Sequence, residues 1–239
     1  MLGADGTVAL MAETPAASAP IQPEPVALVD LFDLFVRPRE FFAGHISLGR
    51  TPALLLVAWV VGVGNVLGGI HRELLKDSVA SRHVFAVELS GRPALFFLGW
   101  IAAVGAFSGF LIYRVFGWWY RRRLLLCDVF NADPILARHV YIYATFVADA
   151  PIVLLAVIQT LRYGNYAAAC ANAGLADVVP IVAVLWSVTV SWKGVRAAFP
   201  MIRRRAAVIW FLVFPWAFYL VVMGHAAVLL ALFSTAQQG

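Results

Sequence analysis

The sequence predicts an all-α membrane protein with five transmembrane helices and an N-terminal interfacial amphipathic helix. Of its 239 residues, 62% are hydrophobic and 13% are charged, and the mean hydropathy is +0.85. Soluble domains are nearer about 45–50% apolar and about 25% charged. Apolar stretches of about 20 residues, long enough to cross a bilayer, recur along the chain. These observations indicate a polytopic membrane protein rather than a soluble domain.

The N-terminal part divides into two segments. Residues 1–27 are rich in Ala, Pro, Thr and Ser, have no basic region ahead of an apolar one, and are expected to form a disordered cytoplasmic tail rather than a signal peptide. Residues 28–50 form the interfacial segment, in which four apolar residues follow the spacing of one helix face: Leu28, Leu31, Phe32 and Phe35. Pro38 ends or kinks this helix. Two interpretations stay open: the helix lies on the cytoplasmic headgroups, or it packs on the helix bundle.

Residues 51–233 are predicted to form the five-helix transmembrane domain, followed by a short external tail over residues 234–239. The expected spans are 51–70, 94–117, 137–161, 177–195 and 206–233. The third span is preceded by Asn131 and Asp133, either of which can cap a helix that has Pro134 at its first position. Residues 71–93 are expected to form a solvated loop of mixed charge, and residues 164–176 a small loop.

The distribution of basic residues predicts the orientation of these spans. With a cytoplasmic N-terminus, thirteen of the 18 basic residues lie inside, among them the triplets Arg121, Arg122, Arg123 and Arg203, Arg204, Arg205. Cytoplasmic segments are enriched in Arg and Lys, so the C-terminus is expected outside. The same topology places Cys127 and Cys170 on opposite sides of the membrane, which excludes a disulfide between them.

Glycines and arginines suggest where the helices meet each other and the lipid. Gly64 with Gly68, and Gly105 with Gly109, form small-xxx-small pairs that permit close helix packing. Gly62 and Gly64 do not form a dinucleotide fingerprint, because Leu67 stands where a third glycine is required. The two arginine triplets are candidate contacts for anionic lipid headgroups or for a partner, or they determine topology alone.

Asp149 is the most costly polar residue, because it falls at the centre of the third span. Thr145 lies one turn earlier on the same face, and Pro151 leaves the carbonyl of Val147 without its helical donor. Two interpretations follow for Thr145, Asp149 and Pro151. They form a proton, cation or substrate site, or a kinked packing hub in which a protonated Asp149 bonds a neighbouring helix.

Asn65 and His225 are a second candidate polar group, because both are expected in the outer half of the bilayer, with Gln159 further out. They line an external pocket or simply bond neighbouring helices. The histidines of the 71–93 segment match no metal-ligand spacing, and no catalytic motif is present, so no metal, cofactor or enzymatic activity is expected.

Several short motifs resemble the bacterial branch of the Yip (Ypt-interacting protein) domain family. They are the segment 34–42 (LFVRPREFF), Ala150-Pro151 in a Tyr-rich third span, and the segment 186–196 at the end of the fourth span. The resemblance implies five spans and a cytoplasmic N-terminus; its eukaryotic members bind prenylated Rab-type GTPases and act in vesicle traffic. The eukaryotic Asp-Leu-Tyr-Gly-Pro and Gly-Tyr-x-x-x-Pro motifs are absent, so no functional residue is carried over.

The predicted function is a non-enzymatic membrane scaffold, or a subunit of a larger membrane assembly, in a bacterial cytoplasmic (inner) membrane. Expected partners are membrane lipids, including anionic ones, and other membrane-protein subunits or further copies of the chain, but not nucleic acid. The first alternative is a small transporter or ion-translocating subunit centred on Asp149. A second is an intramembrane enzyme that uses Asp149 and His225, which would have to lie within reach of one another.

Overall fold

The computed structural model describes residues 26–44, 52–79, 84–172 and 178–221, and within these ranges it contains helices and no strand. The helices are α1 (Leu31–Val36), α2 (Pro38–Gly44), α3 (Pro52–Val79), α4 (Val84–Ser90), α5 (Ala94–Leu125), α6 (Pro134–Tyr163), α7 (Tyr166–Ala171), α8 (Val178–Ala198) and α9 (Arg204–Val221, as far as it is described). Five of them, α3, α5, α6, α8 and α9, are long and apolar enough to cross a membrane. The predicted fold class is confirmed.

Helices α3 and α5 run antiparallel and touch backbone to backbone. Gly62 lies against the backbone of Gly105 and Gly109, and Gly109 lies against the carbonyl of Ala58. A Cβ atom at any of these three glycines would collide with the facing helix. Apart from the side chain of Val63 against Gly105, the two backbones meet directly at these glycines, a contact that only small residues permit.

The predicted packing of the pair Gly64 and Gly68 in α3 is wrong for Gly68. Gly64 does lie in a close contact, but with the side chain of Asp149 on α6. Gly68 has no atom within 4 Å of the position of a Cβ, so it supports no helix contact in the described part of the chain. Gly62 takes its place, because Gly62 and not Gly68 turns towards α5.

The solvated loop expected at 71–93 is also wrong. Helix α3 continues to Val79, and α4 forms after it. Arg72 donates to the carbonyl of Gly68, and Lys76 pairs with Glu73 at 2.6 Å, contacts that continue the helix past its apolar part. The second expected loop likewise contains α7, whose first turn is capped by Asn165 through the amide of Ala168.

Helix α6 begins and ends at strong local signals. Asp133 accepts hydrogen bonds from the amides of Ile135 and Leu136, at 2.7 and 3.1 Å, which settles the choice of cap in its favour. Gly164 ends the helix with a φ of +77°, a conformation that glycine adopts at no steric cost. Between them α6 runs through Pro151 as one continuous helix.

The N-terminal helices α1 and α2 pack on the bundle with one face. Trp186 of α8 donates its indole N–H to the carbonyl of Phe35 at 3.1 Å, and Phe42 covers Gly194 near the end of α8. The ring of Phe41 contacts that of Tyr143 at 5.2 Å between centroids. The predicted apolar face is divided, because Leu31 is buried whereas Phe32 and Val36 on α1, and Leu28 and Val29 in the turn before it, are exposed. One face therefore fits packing on the bundle, and the other fits contact with lipid.

Candidate functional site

The structure brings the two arginine triplets together at one end of the bundle. The amide of Arg203 donates to the carbonyl of Cys127 at 3.3 Å, and the guanidinium of Arg203 pairs with Asp128 at 3.5 Å. The turn after α5 is thereby joined to the start of α9. We call this region, which carries residues 121–123 and 203–205, the arginine end, and the other end of the bundle the distal end.

The cysteine beneath this junction is fully buried. Burial raises the pKa of the Cys127 thiol, an effect only partly opposed by the nearby Arg123 guanidinium, and Asp128 raises it further. Cys170, by contrast, lies in α7 at the distal end, with its sulfur 3.9 Å from Nδ1 of His71. The two thiols are therefore at opposite ends of the bundle, as the predicted topology requires.

The arginines of the first triplet have different surroundings. Arg121 donates through Nε to the carbonyl of Ala132 at 3.1 Å, and exposed Arg122 lies over the ring of Trp118. Arg204 and Arg205 of the second triplet are also exposed. Three guanidinium groups at this end, those of Arg122, Arg204 and Arg205, thus face outward without a carboxylate partner in the described ranges.

Arg123 points into the bundle instead. Its guanidinium carbon lies 4.4 Å from the ring centroid of Phe211 and 5.7 Å from that of Tyr120. Nη2 of Arg123 donates to the backbone carbonyl of Trp210 on α9. Two aromatic faces and one carbonyl therefore hold the guanidinium in place.

The local backbone of α9 explains why that carbonyl is available. Residues Ile209–Val213 form a π-helical turn, in which the amide of Phe214 bonds the carbonyl of Ile209. The next carbonyl, that of Trp210, would need the amide of Pro215, and proline has none. A π turn followed by a proline thus leaves one carbonyl without a backbone donor, and Arg123 supplies the missing N–H.

A polar cleft opens beside Arg123, with a volume of about 100 Å³. Hydroxyl side chains from three helices line it: Tyr141 and Thr145 of α6, Ser187 and Ser191 of α8, and Tyr219 of α9. Ser191 is also 2.9 Å from the hydroxyl of Tyr120. We call this space the Arg123 cleft.

Asp149 does not line the Arg123 cleft. Its side chain lies against Gly64, 2.7 Å from the position that a Cβ would occupy there. It is half-buried and within electrostatic reach of the hydroxyls of Tyr141 and Tyr219. Thr145, the expected companion of Asp149, donates its hydroxyl to the carbonyl of Tyr141 at 2.9 Å. Both side chains thus lie near Tyr141, but Thr145 lines the cleft and Asp149 lies against Gly64 on α3.

The second candidate polar group, Asn65, His225 and Gln159, is not brought together in the described part of the chain. Asn65 is exposed on α3 and donates to the hydroxyl of Ser108 on α5 at 3.0 Å, a bond between helices. Gln159 lines a separate distal cleft together with His71 and Tyr166. His225 lies outside the residues that the structure describes.

The sequence does not predict that Arg123 points into the bundle. It also does not predict that Ser187, Ser191 and Tyr219 lie around it. One signal was present: the buried stripe of α5 runs through Gly105, Gly109, Ile112 and Tyr120. One turn beyond Tyr120, Arg123 falls next to this stripe, whereas Arg122 does not.

These features define a helical protein with five helices long and apolar enough to cross a membrane, and with both arginine triplets at one end of the bundle. The described part of the chain holds no group of three His, Cys, Asp or Glu residues suited to a metal ion. No family model, curated protein or solved structure matches the chain. The resemblance to Yip-domain proteins therefore stays a prediction.

Proposed function

We propose that this protein is a non-enzymatic membrane scaffold, or a subunit of a larger membrane assembly, whose arginine end faces an anionic membrane surface. The observation that carries the proposal is the convergence of both arginine triplets beside the docked helices α1 and α2. The membrane is a bacterial cytoplasmic one, with the N-terminus and the arginine end inside. Membership of the Yip-domain family belongs to the same proposal.

The exposed charges support a lipid role in energetic terms. A basic residue near an anionic leaflet contributes about 1 kcal/mol, so Arg122, Arg204 and Arg205 together contribute about 3 kcal/mol. The outer face of α1, with Phe32 71% exposed, adds apolar area at the same end of the bundle. Charge and apolar area at one surface are the two components that hold a protein segment on anionic lipid.

The lipid part of the proposal is tested by reconstituting the full chain into nanodiscs of mixed phosphatidylglycerol and phosphatidylcholine. Replacing Arg204 and Arg205 by Gln should lower the anionic share of the lipid that co-purifies with the protein. Replacing Arg72 and Arg92 by Gln removes the same charge from the distal end and should change nothing. If both pairs have the same effect, the arginine end has no special affinity for anionic lipid.

The assembly part is tested by native mass spectrometry of the protein released from its own membrane. A scaffold or subunit should appear in a complex of fixed stoichiometry, and that complex should survive the conservative change Asp149→Asn. A monomer carrying lipid alone would contradict this part of the proposal.

Asp149 supports a second candidate function, ion translocation. It is the sixteenth of the 30 residues of α6, near the middle of the span, and intramembrane acids often mark ion pathways. In proteoliposomes a transporter of this kind should show a pH-dependent flux that Asp149→Asn abolishes while expression and helix content stay unchanged. Absence of flux for every ion tested would leave the scaffold as the sole proposal.

A further inference from the structure

We propose that the Arg123 cleft binds the phosphate of an anionic phospholipid from the leaflet at the arginine end. This deepens the proposed function, and it rests on that function in one respect, the contact of this end with an anionic membrane surface. It goes further because it assigns one inward-facing arginine, rather than the exposed ones, as the group that recognises the lipid.

Arg123 has the donors that such a site needs. A guanidinium carries five N–H donors in a fork that fits a phosphate, and the described ranges supply one acceptor, the carbonyl of Trp210. The ion pairs in those ranges involve Arg37, Lys76, Arg92 and Arg203, but not Arg123. A partly buried cation without a carboxylate is costly, and a bound anion removes that cost.

The hydroxyl groups around the cleft differ in what they offer. Thr145 and Ser187 donate to carbonyls of their own helices, at 2.9 and 2.8 Å, and the Thr145 side chain also hydrogen-bonds the Tyr141 hydroxyl. Tyr141 and Tyr219 bring phenolic O–H groups from two different helices to the lining. Phosphate oxygens accept hydrogen bonds, so Tyr219, and Tyr141 in exchange for its bond to Thr145, are the expected partners of Arg123 in holding a phosphate.

The cleft has room for a phosphate group. Its volume of about 100 Å³, measured for the centres of water-sized spheres, is several times the roughly 10–15 Å³ that one water molecule needs by the same measure. The acyl chains of a lipid can lie beside α9, which presents the exposed apolar side chains of Val213, Phe214 and Phe218.

The level of Arg123 also fits a lipid phosphate, whereas Thr145, one turn before Asp149, lines the part of the cleft that lies deeper in the span. Helix α5 has 32 residues, which at about 1.5 Å each give about 48 Å, against about 30 Å for the hydrocarbon core. If the excess is shared equally, about 9 Å projects at each end. Trp118 and Tyr120 lie at this level, typical of a membrane interface, and the side chain of Arg123 points back towards it.

The test uses the full chain in a non-ionic detergent, titrated with phosphatidylglycerol, with phosphatidylcholine of the same acyl chains, and with inorganic phosphate. Native mass spectrometry counts the bound lipids. We expect one phosphatidylglycerol to bind at least about tenfold more tightly than the lipids that follow it, and more tightly than phosphatidylcholine. Inorganic phosphate at millimolar concentration should not displace it; displacement would identify free phosphate as the ligand and overturn the lipid assignment.

The variants separate the cleft from the surface. Arg123→Gln should weaken the tight site by about tenfold or more, because it removes charge-assisted hydrogen bonds. Its control, Arg122→Gln, removes the same charge from the exposed neighbour and should weaken the site by less than about fivefold. Equal effects of the two changes would overturn the cleft but leave the surface attraction of the proposed function intact.

A milder variant covers the case in which Arg123→Gln does not fold. Tyr141→Phe removes one hydroxyl from the cleft and keeps the ring that packs on Tyr120. It should weaken phosphatidylglycerol binding several-fold, whereas Tyr163→Phe at the distal end should have no effect. If Tyr141→Phe does not alter binding and the folded Arg123→Lys protein binds as the parent does, no site of the proposed geometry exists.

Discussion

At the scale of single residues, three neighbouring arginines have three different environments. Arg121 bonds the carbonyl of Ala132, Arg122 is exposed over an indole ring, and Arg123 enters the bundle. Their side chains have the same chemistry, so the difference comes from their angular position on α5 and from what α9 places opposite them. Position relative to the buried face of the helix decides which arginine is available for a surface and which for a cleft.

The thiols give a residue-scale prediction with a pH dependence. A maleimide at pH 7 should label Cys170 and leave buried Cys127 unmodified until the protein unfolds, because burial raises the pKa of the Cys127 thiol and excludes the reagent. A folded-state pKa above the unfolded value of about 8.5 means that the folded protein holds the proton more tightly. This contribution to the free energy of unfolding is complete below about pH 8.5 and is lost as the pH rises above it.

The prediction is checked by mass spectrometry of labelled peptides and by unfolding at pH 7, 9 and 10. The control is Cys127→Ala, whose stability should fall less between pH 7 and pH 10 than that of the parent. Rapid labelling of Cys127 in the folded protein would contradict the buried position.

The sequence located the costly residues but not their neighbours. Asp149 and the triplets are visible as charges in or beside apolar runs. The partner of Arg123, in contrast, is a carbonyl 87 residues away, made available by a π turn and a proline. Contacts of that kind depend on the docking of two distant helices, and no local pattern in the sequence reports them.

At the scale of helices, packing is set by glycine, and α3 shows the difference between a glycine that packs and one that does not. Gly62 meets the backbone of α5, whereas Gly68 has no neighbour within 4 Å. Both belong to the same Gly-rich stretch, and spacing by four residues does not distinguish them. The rotation of α3 about its axis decides which of its glycines turns to α5, and that rotation is fixed by the whole bundle.

Substitution of these two glycines by alanine is the element-scale prediction. Gly62→Ala should destabilise the folded protein by about 1–3 kcal/mol or more, because a Cβ collides with backbone, which cannot rotate away. The matched Gly68→Ala should stay within about 1 kcal/mol of the parent, since alanine favours the helix and meets open space. Thermal unfolding in one detergent compares the two, and equal stabilities would mean that α3 and α5 are not in contact through Gly62.

At the scale of the whole molecule, the lengths of the apolar runs predict the architecture correctly in outline. The all-α class and the five long apolar helices follow from these runs, and the orientation that the arginines indicate stays a prediction. The continuation of α3 to Val79 does not follow, because the polarity of Arg72, Glu73 and Lys76 predicts a loop. Polarity shows that a segment leaves the lipid, but it does not show that the helix stops there.

Orientation gives the whole-molecule prediction. In a variant without Cys127 and Cys170, a single cysteine at Met201, which is 89% exposed, should react with a membrane-impermeant maleimide only after the membrane is opened. A cysteine at Gly91 in the turn after α4 should react in intact cells, because the two positions lie at opposite ends of the bundle. Labelling of both positions from the same side would contradict the five-span arrangement, and the reverse pattern would place the arginine end outside.

The backbone contact between α3 and α5 has a mechanical consequence. Where the two helices meet through glycines, little side-chain material lies between them, so we expect the pair to move as one stiff body. We expect any change of shape to occur between this body and α8 with α9, across the seam that contains Arg123. The distance between spin labels on α3 and α5 should keep a single narrow distribution under all conditions. The distribution of distances between labels on α5 and α9 should narrow when a phosphate binds between these helices.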